Sequence, residues 1–268
     1  MMRRATAIGI TLALCGLLQA CATAPNTVAG RIGTLLPADV ILLGEQHDAA
    51  AHQQLQRDVV LELTRRGQLA ALVMEMAEQG NSTAGLAPDA SEAQVRLALR
   101  WDDTGWPWSA YGPVVLAAVQ AGVPVLGANL QRSAMRAAMA RDTLDAHLPP
   151  AALEVQRENI RAGHCRLLPE SQIAPMTRIQ IARDAAMAET ITSAVQTGRT
   201  VLLVAGGGHV ARSLGVPTHL PATLRSVVVL AVAGRPDAMR SSDADVVWET
   251  PPVPPKDYCA GLEQKLKS

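Results

Sequence analysis

Phenylalanine is missing from this sequence, and four tryptophans and two tyrosines are its only aromatic residues. An aromatic core is therefore excluded. The 49% hydrophobic content has to pack as Ala, Val, Leu, Ile and Met. Neither sign of charge is in excess, with 24 Lys and Arg against 24 Asp and Glu. Losing Arg3 and Arg4 with a leader would leave 22 basic residues, so nothing recommends nucleic acid as a partner. After residue 20 no apolar run reaches the ~20 residues that span a bilayer, and no internal repeat occurs. A Gly-x-Ser-x-Gly elbow is also absent, which argues against an ordinary α/β serine hydrolase. At 268 residues, one sizeable domain is the expectation.

What is present begins with a targeting pattern. Met1 to Arg4 carry positive charge, and Ala5 to Leu18 are apolar and too short to span a membrane. Leu18-Gln19-Ala20-Cys21 then looks like a lipobox, in which the Cys21 sulfur takes the diacylglycerol and small Ala20 fits the cleavage site. The expected organisation is a signal peptide over 1–20, a lipidated Cys21 and tether over 21–38, and one domain over 39–268. Several acyl chains would hold the protein to a membrane. Ala22 instead of Asp after the cysteine favours the outer membrane of a Gram-negative envelope. Export leaves Cys165 and Cys259 in an oxidising compartment. A disulfide between them is expected to clip the C-terminal tail to the body, with two free thiols as the alternative.

The body alternates strand and helix patterns. Apolar runs at Val40–Leu43, Ala70–Met74, Pro124–Leu126 and Thr200–Ala205 read as buried strands, with Ser226–Val232 and Ala244–Glu249 as two more. Helical spacing occupies Asp48–Arg66, Ser91–Leu99, Tyr111–Ala121, Ser133–His147, Ala151–Ala162 and Gln172–Thr197. This alternation predicts an α/β fold, a mostly parallel sheet with helices on both faces.

In such sheets ligands sit beyond the carboxyl ends of the strands. Those ends read Gly44-Glu45-Gln46-His47, Glu75, Asn129 and Gly206-Gly207-Gly208-His209. Burying unpaired acids and imidazoles beside core strands is costly, so their gathering at one rim points to a site. Each residue also has a plainer reading. A single His after a strand is more often a hydrogen-bonded loop residue, and Glu45 is well placed to cap the following helix. The triple glycine lacks the Lys and Ser/Thr of a phosphate loop. His52, five residues after His47, does not share its helical face.

Several segments occur in a familiar order between Val40 and Leu230. They are Leu43-Gly44-Glu45-Gln46-His47-Asp48 with His52 and Gln56, Met74-Glu75-Met76, the Trp101–Tyr111 segment with Trp106 and Trp108, and Asn129-Leu130. Gly163-His164-Cys165, Gln180 to Asp184, Met187-Ala188, Gly206 to His209 and Gly215-Val216-Pro217 follow. Together they resemble the ChaN family of haem-binding uptake lipoproteins. The resemblance implies haem as cofactor, two haems stacked between the protomers of a homodimer, and a part in iron or haem acquisition. It also implies tyrosine ligation of the iron. Of Tyr111 and Tyr258, Tyr111 is expected, because it lies in the tryptophan-rich segment; a phenolate is a hard donor suited to ferric iron. His47, His209, Trp106, Trp108, Asn129, His164 and Arg183 complete the expected cofactor contacts, with Arg132 and Arg136 as further partners for propionates. The tryptophans either face the porphyrin or pack on the core. The superfamily is also similar to Tiki metalloproteases and erythromycin esterases. That similarity implies the alternative, a hydrolase with Glu45, His47, Glu75 and His209 as catalytic residues. His47, Glu75 and His209 would then hold a divalent metal such as zinc.

Overall fold

The computed structural model describes residues 27–236 and 242–261. The expected signal peptide and the lipidation site Cys21 lie outside the described residues.

Short β-branched runs between helical stretches fold into one alternating series. It comprises α1 (Val28–Leu35), β1 (Val40–Glu45), α2 (Ala50–Arg65), β2 (Leu69–Glu78), α3 (Glu92–Leu99) and α4 (Trp108–Gln120). Then come β3 (Val125–Asn129), α5 (Met135–Ala140), α6 (Pro150–Gly163), α7 (Glu170–Ala194), β4 (Thr200–Gly206), α8 (Gly207–Val210), β5 (Ser226–Ala233) and β6 (Val246–Thr250). The six strands form one sheet in the order β3-β2-β4-β1-β5-β6. Every neighbouring pair is parallel. Parallel strands joined by crossover helices are covered on both faces, which is why β1 and β4 tolerate unbroken apolar sequence and are buried along their whole length. On one face Ile41, Leu43, Leu72 and Val204 meet Val59 and Leu63 of α2 and Val114 and Val115 of α4. On the other, Val40, Leu42, Val73 and Leu203 meet Met187, Ala188 and Ile191 of α7. Tyr111 is the largest fully buried side chain among the described residues, so the core is not wholly aliphatic as the composition suggested.

Local physics explains where the structure departs from the sequence reading. Part of the segment assigned to the tether, residues 28–35, is helix α1. Thr27 caps it by accepting the Gly30 N–H at 3.1 Å, and Ile32 and Leu35 are buried in the core. The single helix expected over Ser133–His147 is instead α5 flanked by 3₁₀ turns, interrupted at Arg141. Only Ala138 is buried in α5, and the Arg178 side chain holds Asp145 and the Met139 carbonyl. Strand β2 does not stop at Glu75. It runs on to Glu78 with an irregular register after Met74, and β3 accommodates this through Gly127, where a Cβ would meet the Glu78 carbonyl at 2.3 Å. The expected disulfide joins Cys165, in the turn between α6 and α7, to Cys259. Among the described residues no helix is long and apolar enough to cross a membrane.

Candidate functional site at the strand ends

Parallel order brings the carboxyl ends of β1, β2 and β4 side by side, since Glu45 is in register with Gly206 and Met74 with Val204. Glu45 is the last residue of β1, and its side chain is fully buried. A buried carboxylate needs donors, and four supply it. Tyr111 of α4 donates its hydroxyl to Oε1 at 2.6 Å. His47 Nδ1 lies 2.8 Å from the same oxygen. Gln53 and Gln56 of α2 donate to Oε2 at 2.7 and 2.6 Å. Sequence reasoning gave Gln53 and Gln56 no role at the site. Their signal was two amides three residues apart on a helical face that then continues with Val59, Val60 and Leu63.

His47 stands in the loop after β1, with 42% of its side chain exposed. Because Nδ1 carries its hydrogen toward Glu45, Nε2 holds the lone pair of the neutral ring. That atom lies against Gly206. A Cβ there would come within 2.9 Å of Nε2 and 3.5 Å of Glu75 Oε2, so only glycine lets the imidazole reach this depth. Trp106 presents its ring edge to the imidazole at a centroid distance of 4.8 Å. Burial lowers the His47 pKa, but the Glu45 hydrogen bond and the Glu75 and Glu45 charges outweigh it and leave the pKa raised.

Beneath His47 lies a second buried network. Glu75 accepts the Gly206 N–H at 2.7 Å and faces His209 Nε2 at 3.4 Å. On the other side of that ring, Asp184 of α7 lies 2.5 Å from Nδ1, and the Gln180 amide is 3.0 Å from the same nitrogen. Burial opposes a charge on His209, yet the two carboxylates prevail and hold the imidazolium. Burial would likewise raise Glu75, but His209, His47 and the Gly206 N–H hold it well below the usual range. Asp184 goes the other way, pushed up by burial. Its second oxygen has no hydrogen-bond partner among the described residues. Asp184 and Gln180 were missed as site residues, although an i, i+4 polar pair beside Thr177, Ile181 and Ala188 on a buried helix was their signal.

The remaining expected contacts divide clearly. The structure brings together Glu45, His47, Glu75, Tyr111, Trp106 and His209. Tyr111 is only 1% exposed, and its phenol serves Glu45. Burial and the Glu45 charge raise its pKa far above the ordinary value. Trp108 packs edge-on against Trp101 at 5.0 Å and does not touch His47. His164 bonds the Ile160 carbonyl at 2.9 Å, a local contact at the end of α6. Among the described residues, Asn129 keeps a buried Oδ1 without a partner at the end of β3, and Arg183 has a buried Nε in the same state. Arg132 pairs with Asp102. His52 is structural: Nδ1 accepts the Gln46 N–H at 2.9 Å and Nε2 meets Thr250 Oγ1 at 3.0 Å. Glu75 and His209 are spent on each other, on the Gly206 N–H and on Asp184. Among the described residues no three His, Cys, Asp or Glu are arranged to hold a metal ion.

The fold recurs in known proteins. The family model described as haem-binding uptake, Tiki superfamily, ChaN matches residues 32–220. A solved structure of ChaN from Campylobacter jejuni, described for cofacial haem binding, is similar with a TM-score of 0.64 and 26% identity. The match covers 81% of this chain and 89% of that one. The type III effector HopBA1 shares the fold at a TM-score of 0.50 and 14% identity, over 84% of this chain and 94% of its own. No curated protein matches the chain.

Proposed function

We propose that this chain, which belongs to the ChaN haem-binding uptake family of the Tiki superfamily, binds haem against His47 at the strand-end rim and serves haem or iron acquisition as a lipid-anchored envelope protein. The observation that carries the reading is the state of His47. Its Nδ1 is held by the buried Glu45 carboxylate, and its Nε2 carries the free lone pair of a part-exposed ring. Ligating histidines characteristically donate their second N–H to a carboxylate in this way, which fixes the tautomer and strengthens the donor. Trp106 lines the same ring with apolar surface.

Haem would supply a ferric iron, and the His47 imidazole nitrogen is the group that would hold it. The chain's own residues do the rest. Glu45 orients His47 and is itself fixed by Tyr111, Gln53 and Gln56. The Glu75–His209–Asp184 network underneath keeps Gly206 in place. Tyr111 thus supports the ligand through Glu45. The lipobox-like leader supports anchoring through Cys21 at the outer membrane, and the cofacial haem binding described for the Campylobacter protein supports pairing of two copies around stacked haems.

Hemin titration tests the reading. A Soret shift that saturates at micromolar protein is expected, and His47→Ala should weaken binding by at least about tenfold. No shift with the native chain would overturn it. Labelling of cells with a radioactive fatty acid tests the anchor, since Cys21→Ser should abolish incorporation. Labelled Cys21→Ser protein would remove Cys21 as the lipid site.

A further inference from the structure

The C-terminal segment after β6, residues 251–261, is held in an unusual way. Most of it is exposed, and Tyr258 is 55% exposed. It lies outside the residues that the family model matches. Two attachments near its end fix it to the body. Cys259 is bonded to Cys165 in the turn between α6 and α7. Tyr258 donates its hydroxyl to Asp48 Oδ2 at 2.5 Å. Asp257 caps the turn that presents both, accepting the Cys259 and Ala260 N–H groups at 2.9 and 3.1 Å.

The target of the second attachment matters. Asp48 is the residue after His47, and its other oxygen accepts the Gln46 amide at 2.9 Å. The root of the segment grips the same loop from behind, through Thr250 to His52 and from His52 to the Gln46 N–H. The loop Gln46–Asp48, which carries the part-exposed imidazole, is therefore tied at Asp48 to this strap-like segment and at Gln46, through His52, to the end of β6.

We propose that Tyr258 is a positioning residue for His47, that the Cys165–Cys259 disulfide holds it on Asp48, and that the site's grip on its ligand is consequently redox-sensitive. The ligand part of this inference rests on the haem reading of His47. Reduction breaks the single S–S bond, takes up two electrons and two protons, and leaves two thiols. A dithiol reductant, itself oxidised to a disulfide, supplies them. Both cysteines are half-buried, so a reductant has access. Once free, an exposed segment of this kind has little to hold it against its own chain entropy, and the clamp on Asp48 opens.

The test uses the native chain in three forms: oxidised, reduced with a phosphine and alkylated, and reoxidised after reduction. Two readouts are taken, the ring ¹⁵N signals of His47 without ligand and the rate of hemin transfer to an excess of apomyoglobin. The His47 signals should move on reduction and return on reoxidation. Hemin should leave the reduced form about fivefold faster, the size expected from losing one hydrogen bond. The Tyr258→Phe variant removes only an exposed hydroxyl and keeps the fold. Its oxidised form should already release hemin at the faster rate, and reduction should add nothing. Equal rates and unmoved His47 signals in the oxidised and reduced protein would overturn the strap and leave the haem reading intact. Moving signals in a protein that binds no hemin in any form would uphold the strap and overturn the haem reading.

Discussion

Glu45→Ala is the most informative perturbation of this molecule. The carboxylate accepts four hydrogen bonds of 2.6 to 2.8 Å from Tyr111, His47, Gln53 and Gln56. Taken singly, each bond to a charged acceptor is worth about 1.5–3 kcal/mol, but bonds sharing one acceptor do not add. Removing the acid also relieves the desolvation of a buried charge. Against that, the hydroxyl of Tyr111 and the amide of Gln56 are both almost fully buried and are left with nothing to donate to. Breaking a buried ionic network by deleting one partner costs about 3–5 kcal/mol, and that range is expected here. In a domain of this size the loss lowers Tm by about 10 °C. Tyr111→Phe keeps the ring in the core and deletes one donor, so about 1–2 kcal/mol is expected from it. In the double variant the two losses should fall well short of their sum, because the second change removes an already orphaned group. Urea unfolding of the ligand-free, disulfide-intact protein, followed by far-UV circular dichroism, measures all three. A Glu45→Ala cost under about 1 kcal/mol, or strict additivity with Tyr111→Phe, would refute the hub described here.

Three further outcomes follow from the site. Gly206→Ala places a Cβ 2.9 Å from His47 Nε2, so hemin affinity should drop by about tenfold while the urea midpoint barely moves; unchanged affinity would show that the imidazole does not need this approach. Under the proposed haem reading His47 binds as neutral imidazole, and its pKa is raised above 6.5, so hemin affinity should fall on acidification at a higher pH than a free histidine would dictate. A flat profile between pH 5 and 8, read from Soret titrations, would count against His47. His209, raised from 6.5 to about 10, contributes stability that is complete below pH 6.5 and lost as pH rises through 10. Glu75, lowered from 4.5 to about 2, contributes above pH 4.5 and loses its share as pH falls through 2. Asp184, raised from 3.8 to about 6, lowers stability as pH rises between those values, and His209 then makes it decline from pH 6.5 toward 10; in His209→Gln that upper decline should vanish, and a persisting slope in urea midpoints would contradict the assignment.

Much of this architecture was legible because the signals were local. Unbroken runs such as Val40–Leu43 and Thr200–Ala205 can only be strands covered on both sides, and Gly44 and the triple glycine mark where they end. The rim was legible as well, since Glu45, Glu75 and His209 are polar residues in places where core should be. What escaped was pairing across space. Nothing in the neighbourhood of Asp184 announces His209, which lies 25 residues away on another element. Tyr111 was read as facing a ligand because it belongs to an aromatic-rich segment. The Tyr111 ring is instead packed into the core, and its hydroxyl takes a buried acceptor, Glu45. The start of the domain was misjudged for a similar reason. The segment before β1 is rich in small residues and reads as linker, but two apolar side chains three residues apart, Ile32 and Leu35, suffice to dock a short helix.

Helix α7 has 25 residues, or ~37 Å of rise, whereas the seven residues of β4 span only ~23 Å. Because α7 leads back into β4 through a short turn, the surplus length projects past the rim as a parapet. Asp184 stands near its foot and the Cys165 turn at its crest. A turn inserted ahead of Gln180 would therefore lengthen this parapet by ~5.4 Å while leaving the Asp184–His209 pair below it in place.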